Sequence, residues 1–318
     1  MPHMHYDEAD AIAVVSFAHS QNVAIREDQG VFAARELDYV KSRTYDRKLP
    51  PMNGLALVPR ASDAPEWAET ITYKSYDHVG IAKIIANYAD DLPRADVSGK
   101  ETTVPVRTIG DSYGYNINEL NASIALGARL PERKAFAARR AVEVKLNQIA
   151  MVGDVNHGLY GITNHPNIGS TTGVTGDWSA VATTAAQIVA DVDIMWNAVR
   201  TQSKGVHTPT RLAIPSSAFA AMNSKYVADT GGKSAYDVVR AKYPGLQIMD
   251  LPELELVDGD TLSIIGEFSE ENANLEEVMP FNQLPAQARN LELVVPCYAR
   301  SGGVSVHYPL AFTKVVGL

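Results

Sequence analysis

Residues 153–169, GDVNHGLYGITNHPNIG, bring together the residue types from which phosphate cradles and metal sites are made: Gly153, Gly158, Gly161 and Gly169 with Asp154, His157 and His165. A phosphate cradle needs glycines placed so that consecutive backbone amides wrap the anion, and the dinucleotide form follows a strand. Here the glycines fall at other intervals and the stretch follows a helical pattern. His157 and His165 need a further ligand from elsewhere to hold a metal, even with Asp154 near. Both read as solvent-facing loop residues, and the loop reads as a turn.

Other candidates fare no better. Gly232-Lys233-Ser234 in DTGGKSAYD ends like a phosphate-binding loop, but the position that must be the first glycine is Val227. A helix-opening turn is the better reading. GxGxxG and HExxH motifs are absent. The carboxylate pairs Asp90-Asp91, Glu253/Glu255, Asp258/Asp260, Glu270-Glu271 and Glu276-Glu277 sit in loop or turn-like contexts and read as solvated faces. Acid–base work would need two of them facing each other in one pocket. Tyr113 and Tyr115 alternate as strand residues do and read as packing. Cys297, the one cysteine, lies in the apolar run LELVVPCYA and reads as a buried strand residue. No catalytic, cofactor-binding or metal-binding residue is assigned, and no cofactor.

The elements around these residues are legible from period and punctuation. PERKAFAARRAVEVKLNQIAMV (131–152) is a helix opened by Pro131 and closed by Gly153. Ala135, Ala138, Val142, Leu146 and Ile149 share one face, with Arg133, Arg140 and Asn147 opposite. Its length is ~33 Å at 1.5 Å per residue. A second helix spans 179–203, with Ala185, Ile188, Val192, Met195 and Val199 on one stripe. RLAIP, LQIMDL and TLSIIGEF are strands. SSAFAAMNSKYVA and SAYDVVRAKY are helices, each opened by a serine that can cap. Residues 31–44 are a further helix candidate. Residues 67–117 read as a long β-ribbon, with Val104, Val106 and Thr108 on one face and a polar tip. Such a ribbon has little core of its own and is marginal alone.

The 318 residues, 46% of them apolar, suffice for a large core. A formal charge of −9 argues against a dedicated nucleic-acid binder, though not against a protein that encloses nucleic acid. A single cysteine forbids an internal disulfide and fits a reducing compartment. No apolar run reaches the ~18 residues of a membrane span, and MPHMHYDEAD is too polar for a secretory signal. Two long helices, a ribbon without its own core, an arm and no catalytic constellation favour an assembling structural protein over an enzyme.

The order of parts from 104 to 166 adds a resemblance. A strand with Tyr113 and Tyr115, then NELNAS with Glu119 and Leu120, ALGARL, the long Ala-rich helix, GD, and Gly158 to Pro166 follow one another. Further on come TPTRLAIPSSAFAAMNS and GGVSVHYPLAFTKVVGL. This series resembles tailed-bacteriophage major capsid proteins of the Johnson-fold (lambdoid-phage-type) superfamily and the related encapsulin shells, over about residues 50–318. Ile162 stands where a leucine is usual, and Asn167 where a glycine often follows the proline.

The resemblance implies an α+β phage major-capsid fold. Its parts would be an N-terminal arm (1–66), an extended β-hairpin loop (67–117), and a peripheral domain (118–179) with the spine helix 131–152. An α/β axial domain (180–285) and C-terminal strands returning to the peripheral domain (286–318) would complete it. The implied function is self-assembly into pentamers and hexamers of an icosahedral phage head enclosing double-stranded DNA. The alternative is an encapsulin-type shell housing a cargo enzyme. Implied partners are the chain itself, scaffolding and portal proteins, decoration proteins, and packaged DNA touched without sequence preference; no membrane is implied. The implied location is the virion, after assembly in the host bacterial cytoplasm. Some relatives crosslink a Lys to an Asn between subunits; Lys83 and Lys100 lie in the ribbon, but no Asn partner or catalytic Glu is marked.

Overall fold

The computed structural model describes residues 50–79, 96–116, 118–119, 130–228, 230–255, 261–290 and 292–318; among these, the side chains of 77–79, 96–98 and 130–132 are not described. The helix candidate 31–44, Lys83, Asp90-Asp91, Asp258/Asp260 and most of NELNASIALGARL lie outside the described residues.

Two sheets organise the fold. The first is built on β12 (Glu292–Val306), the longest strand. β10 (Ala273–Gln283) and β11 (Gln287–Arg289) pair antiparallel along one edge of it, and β4 (Arg107–Asn116) runs antiparallel along the other. The two-residue β1 (Arg60–Ala61) adds parallel to β10. The second sheet has the order β13 (Phe312–Val316), β9 (Leu262–Gly266), β7 (Arg211–Ile214), β8 (Gln247–Asp250). Strands of both sheets alternate with helices along the chain, a mixed α+β architecture.

α2 (Leu130–Met151) matches the expected long helix within a residue at each end. Ala138, Val142, Leu146 and Ile149 are buried, as the 3.6-residue period requires. Ala150 and Met151 join Ile162, Leu275, Val304 and Phe312 in one core, together with Leu57 from the short α1 (Gly54–Leu57). Residues 54–61, expected as part of an arm, are thus built into the core and the first sheet. Asn147, expected on the outer face, is buried. Its carboxamide oxygen accepts from the amide of Leu55 and its nitrogen donates to Glu253, which provides the partners that a buried amide needs.

α3 (Ala185–Gln202) carries the second core. Ile188, Val192, Met195 and Val199 have no exposed surface, each such burial stabilising by roughly 1.5–3 kcal/mol. The helix begins at a capping box, Thr184 with Gln187, later than the 179 expected from sequence. α5 (Ala235–Lys242) opens with the expected serine cap, Ser234 paired with Asp237. α4 (Ser216–Ser224) does not: its cap position is Pro215, and the Ser216 hydroxyl donates instead to Asp250 at 2.6 Å.

The ribbon is shorter than its sequence signal. β2 (Thr70–Val79) and β3 (Asp96–Pro105) pair along their whole length, but the chain leaves the ribbon at Val106 and β4 joins the first sheet. Thr108 is therefore exposed while Val104 and Val106 are buried. The C-terminal strands also divide. β12 belongs to the first sheet, whereas β13 pairs with β9 in the second. β10 lies before the expected boundary at 285, yet it pairs with β12.

Candidate functional site

The loop after α2 is built by two close-approaching glycines. Gly153 ends the helix at φ 75°, a left-handed conformation that glycine adopts without strain. Gly153–Asp154 then pairs with Leu159–Tyr160, so the chain doubles back at once. Asp154 accepts from His157 Nδ1 at 2.9 Å and from Lys145 Nζ at 3.2 Å, which hold its carboxyl below the ordinary range. Arg107 Nε donates to the carbonyl of His157 at 3.1 Å. His157 is solvent-facing, as expected, but it has a partner.

His165 corrects the sequence reading. It is buried, with Tyr160 edge-on at 5.7 Å and its Nδ1 accepting from the Asn167 amide at 3.3 Å. Burial, assisted by the nearby Lys314 ammonium, pushes its pKa down to about 4. His157 and His165 do not converge on a ligand: one pairs with Asp154, the other packs inward. Among the described residues no group of three or more His, Cys, Asp or Glu is arranged to hold a metal ion.

The remaining chemistry-bearing residues also take packing roles. Gly231 and Gly232 have positive φ in a turn that leads to the Ser234 cap. Cys297 is buried, and burial raises its thiol pKa. Tyr113 and Tyr115 stack edge to face at 5.7 Å, with the Lys134 ammonium 5.0 Å from the Tyr115 ring. Two carboxylates depart from the solvated reading. Glu276 and Glu277 are both buried; Arg60 pairs with Glu277 at 3.1 Å, and burial raises the Glu276 pKa.

Sequence reasoning missed three polar groups. Asp191, buried in α3, accepts from the Trp178 indole at 2.9 Å, the Thr175 amide at 2.9 Å and the Thr175 hydroxyl at 3.0 Å. Lys225 Nζ donates to the carbonyls of Trp178, Ala180 and Thr183. Asn147 and Glu253 are the third case. All three depend on partners from other elements, so no local spacing marks them.

What the geometry does offer is exposed surface. β2 and β3 face solvent along most of their described length. Only Val104 is buried among their described side chains, and Tyr76 is 61% exposed. The ribbon is tied down at its base, where the Tyr73 hydroxyl donates to the Val306 carbonyl at 3.2 Å and the Tyr73 ring meets His307 at 4.7 Å. Along the ribbon the described side chains add the Thr72–Thr103 hydroxyl pair, the Ser75 hydroxyl donating to the Lys100 carbonyl, and an exposed Lys74–Glu101 ion pair, worth little in water. Large apolar side chains also stand exposed elsewhere, including Phe136 and Val144 on α2 and Val181 before α3.

Comparison with protein families matches residues 80–317 to the family described as Major capsid protein. The chain belongs to the major capsid protein family. Members are structural, non-enzymatic proteins. Among solved structures the chain is similar to the capsid of Myoviridae phage XM1 (TM-score 0.80, 16% identity, covering 92% of this chain and 100% of that one). It is also similar to Mycobacterium phage Che8 (0.60, 13%, 90% and 97%) and to a virus-like particle from Pyrococcus furiosus (0.52, 12%, 82% and 91%). No curated protein matches in sequence. Among the described residues no helix of this capsid protein is long and apolar enough to cross a membrane.

Proposed function

We propose that this capsid protein self-assembles into pentamers and hexamers of an icosahedral phage head that encloses double-stranded DNA. The observation that carries the reading is the ribbon of β2 and β3, ten residues per strand and, among its described side chains, with only Val104 buried. Two-stranded ribbons are marginal in water, so a neighbouring subunit is the natural surface for it to lie on. In this reading the ribbon of β2 and β3 serves as the extended loop, residues 118–179 with the first sheet as the peripheral domain with its spine helix, and 180–285 without β10 as the axial domain around the symmetry axes. Residues 286–318 are the closing strands, with the divided sheet membership described above, and the arm excludes residues 54–61.

The formal charge of −9 suits a wall that contains DNA without gripping its sequence. Close-packed DNA is largely neutralised by its own counterions. The location follows as the virion, after assembly in the host bacterial cytoplasm, with scaffolding, portal and decoration proteins as further partners. An encapsulin-type shell housing a cargo enzyme is the second reading. The likeness to the Pyrococcus furiosus particle favours it, at a lower TM-score than the phage XM1 capsid.

The test replaces residues 75–100 by a short turn and keeps Tyr73 with its contacts to Val306 and His307. The variant is expected to keep the wild-type unfolding midpoint and to form no closed shells. Shells at wild-type yield would overturn the role given to the ribbon.

A further inference from the structure

At the base of the ribbon, where β2 passes the edge of the first sheet, lies a cleft of about 350 Å³. Asp63, Trp67, Tyr73, Asn274, Glu276 and His307 line it, and none of its lining residues is Lys or Arg. Asn274 is 8% exposed, and its carboxamide oxygen has no hydrogen-bond partner among the described residues. An unpaired buried acceptor of this kind costs about 1–3 kcal/mol. Glu276 is buried in the same wall, and Asp63 adds a second carboxylate at the exposed mouth. Trp67 stands 80% exposed beside the opening. The Arg300 guanidinium fixes the flanking backbone by donating to the carbonyls of Glu66 and Ala68, and it is not among the lining groups. His307 supplies no compensating charge, because burial lowers its pKa.

Two carboxylates, an orphaned carbonyl acceptor and aromatic faces without a cation are the complement of an ammonium or guanidinium group. We infer that this cleft receives a Lys or Arg side chain from a second copy of the chain, anchoring a neighbouring subunit at the root of the ribbon. The inference rests on the shell reading, because one wall of the cleft is β2 itself. The entering cation pairs with Glu276, takes up the free acceptor of Asn274 and lies against Trp67.

Cryo-electron microscopy of the assembled full-length protein reads the cleft directly. A neighbour's Lys or Arg reaching Glu276 or Asn274 is the expected result. Closed shells whose cleft holds only water or an apolar side chain would overturn this inference while leaving the shell reading intact. Absence of shells would overturn the shell reading and this inference with it. A second measurement uses Asp63→Lys, an exposed position that leaves folding unaffected while adding a cation at the mouth. Asp63→Lys and Glu276→Gln are each expected to raise the subunit concentration needed for assembly about tenfold, with unchanged circular dichroism for Asp63→Lys. Assembly of Asp63→Lys at the wild-type concentration would overturn the inference.

Discussion

Gly153 and Gly161 pass so closely that a Cβ added to either would lie 2.5 Å from the amide nitrogen of the other. The contact is backbone against backbone, so no side chain can move aside to relieve it. It closes the turn that carries the chain on from α2, and it explains two of the four glycines that first suggested a ligand cradle.

Gly161→Ala and Gly161→Val are therefore expected to destabilise the subunit by about 3 kcal/mol or more, or to prevent folding, through overpacking. Gly169→Ala, in the same stretch but with no atom within 4 Å of the added Cβ, is the control and should be neutral. Urea unfolding of the subunits measures both; a Gly161→Ala midpoint equal to that of Gly169→Ala would refute the close-approach account.

Asp191 ties Trp178 and Thr175 to α3 with one buried carboxylate. Asp191→Ala leaves the Trp178 indole and the Thr175 amide without their acceptor and is expected to cost about 3 kcal/mol. Trp178→Phe keeps most of the ring volume and should cost less. Equal unfolding midpoints for Asp191→Ala and wild type would remove the carboxylate from the account of stability.

His165 makes the subunit sensitive to acid. Its pKa falls from 6.5 to about 4 in the folded state, so the unfolded chain takes up the proton first as pH drops. Its contribution is fully present above pH 6.5, is lost progressively toward pH 4, and changes no further below that. The amplitude is on the order of 3 kcal/mol. Protonation also removes the Nδ1 acceptor of the Asn167 amide. Unfolding of wild type and His165→Gln across this range checks the sign: the variant should show the shallower dependence, and parallel curves would contradict the assignment.

The sequence reading succeeded where one element decides its own pattern and failed where a distant element does. Ile188 to Val199 lie on a stripe because 3.6 residues make a turn, whatever the helix packs on. Ser234 caps α5 because its partner Asp237 is in the next turn. Ser216 precedes a helix in the same way, but Asp250 takes its hydroxyl. β4 looked like a continuation of the ribbon because alternation marks a strand and not its neighbour; its partner is residues 292–301 of β12. Asn147, Glu276 and His165 are buried polar residues that the sequence assigned to solvent, Asn147 by helical period and the other two by their loop or turn-like context. The shell surface was legible only through the ordered resemblance and the missing core of the ribbon.

Tyr76, on the exposed ribbon, separates folding from assembly. Tyr76→Asp is expected to change the unfolding midpoint by no more than about 0.5 kcal/mol equivalent, since surface substitutions are near neutral, while sharply lowering shell yield. A variant that unfolds early, or one that assembles normally, would contradict the assignment of Tyr76 to an intersubunit surface.

The central claim is that this chain builds a closed shell, and electron microscopy of the purified protein tests it most directly. Closed icosahedral particles, with pentamers and hexamers resolved on averaging, are the predicted result. Small discrete oligomers under every assembly condition, with neither shells nor capsomers, would contradict it.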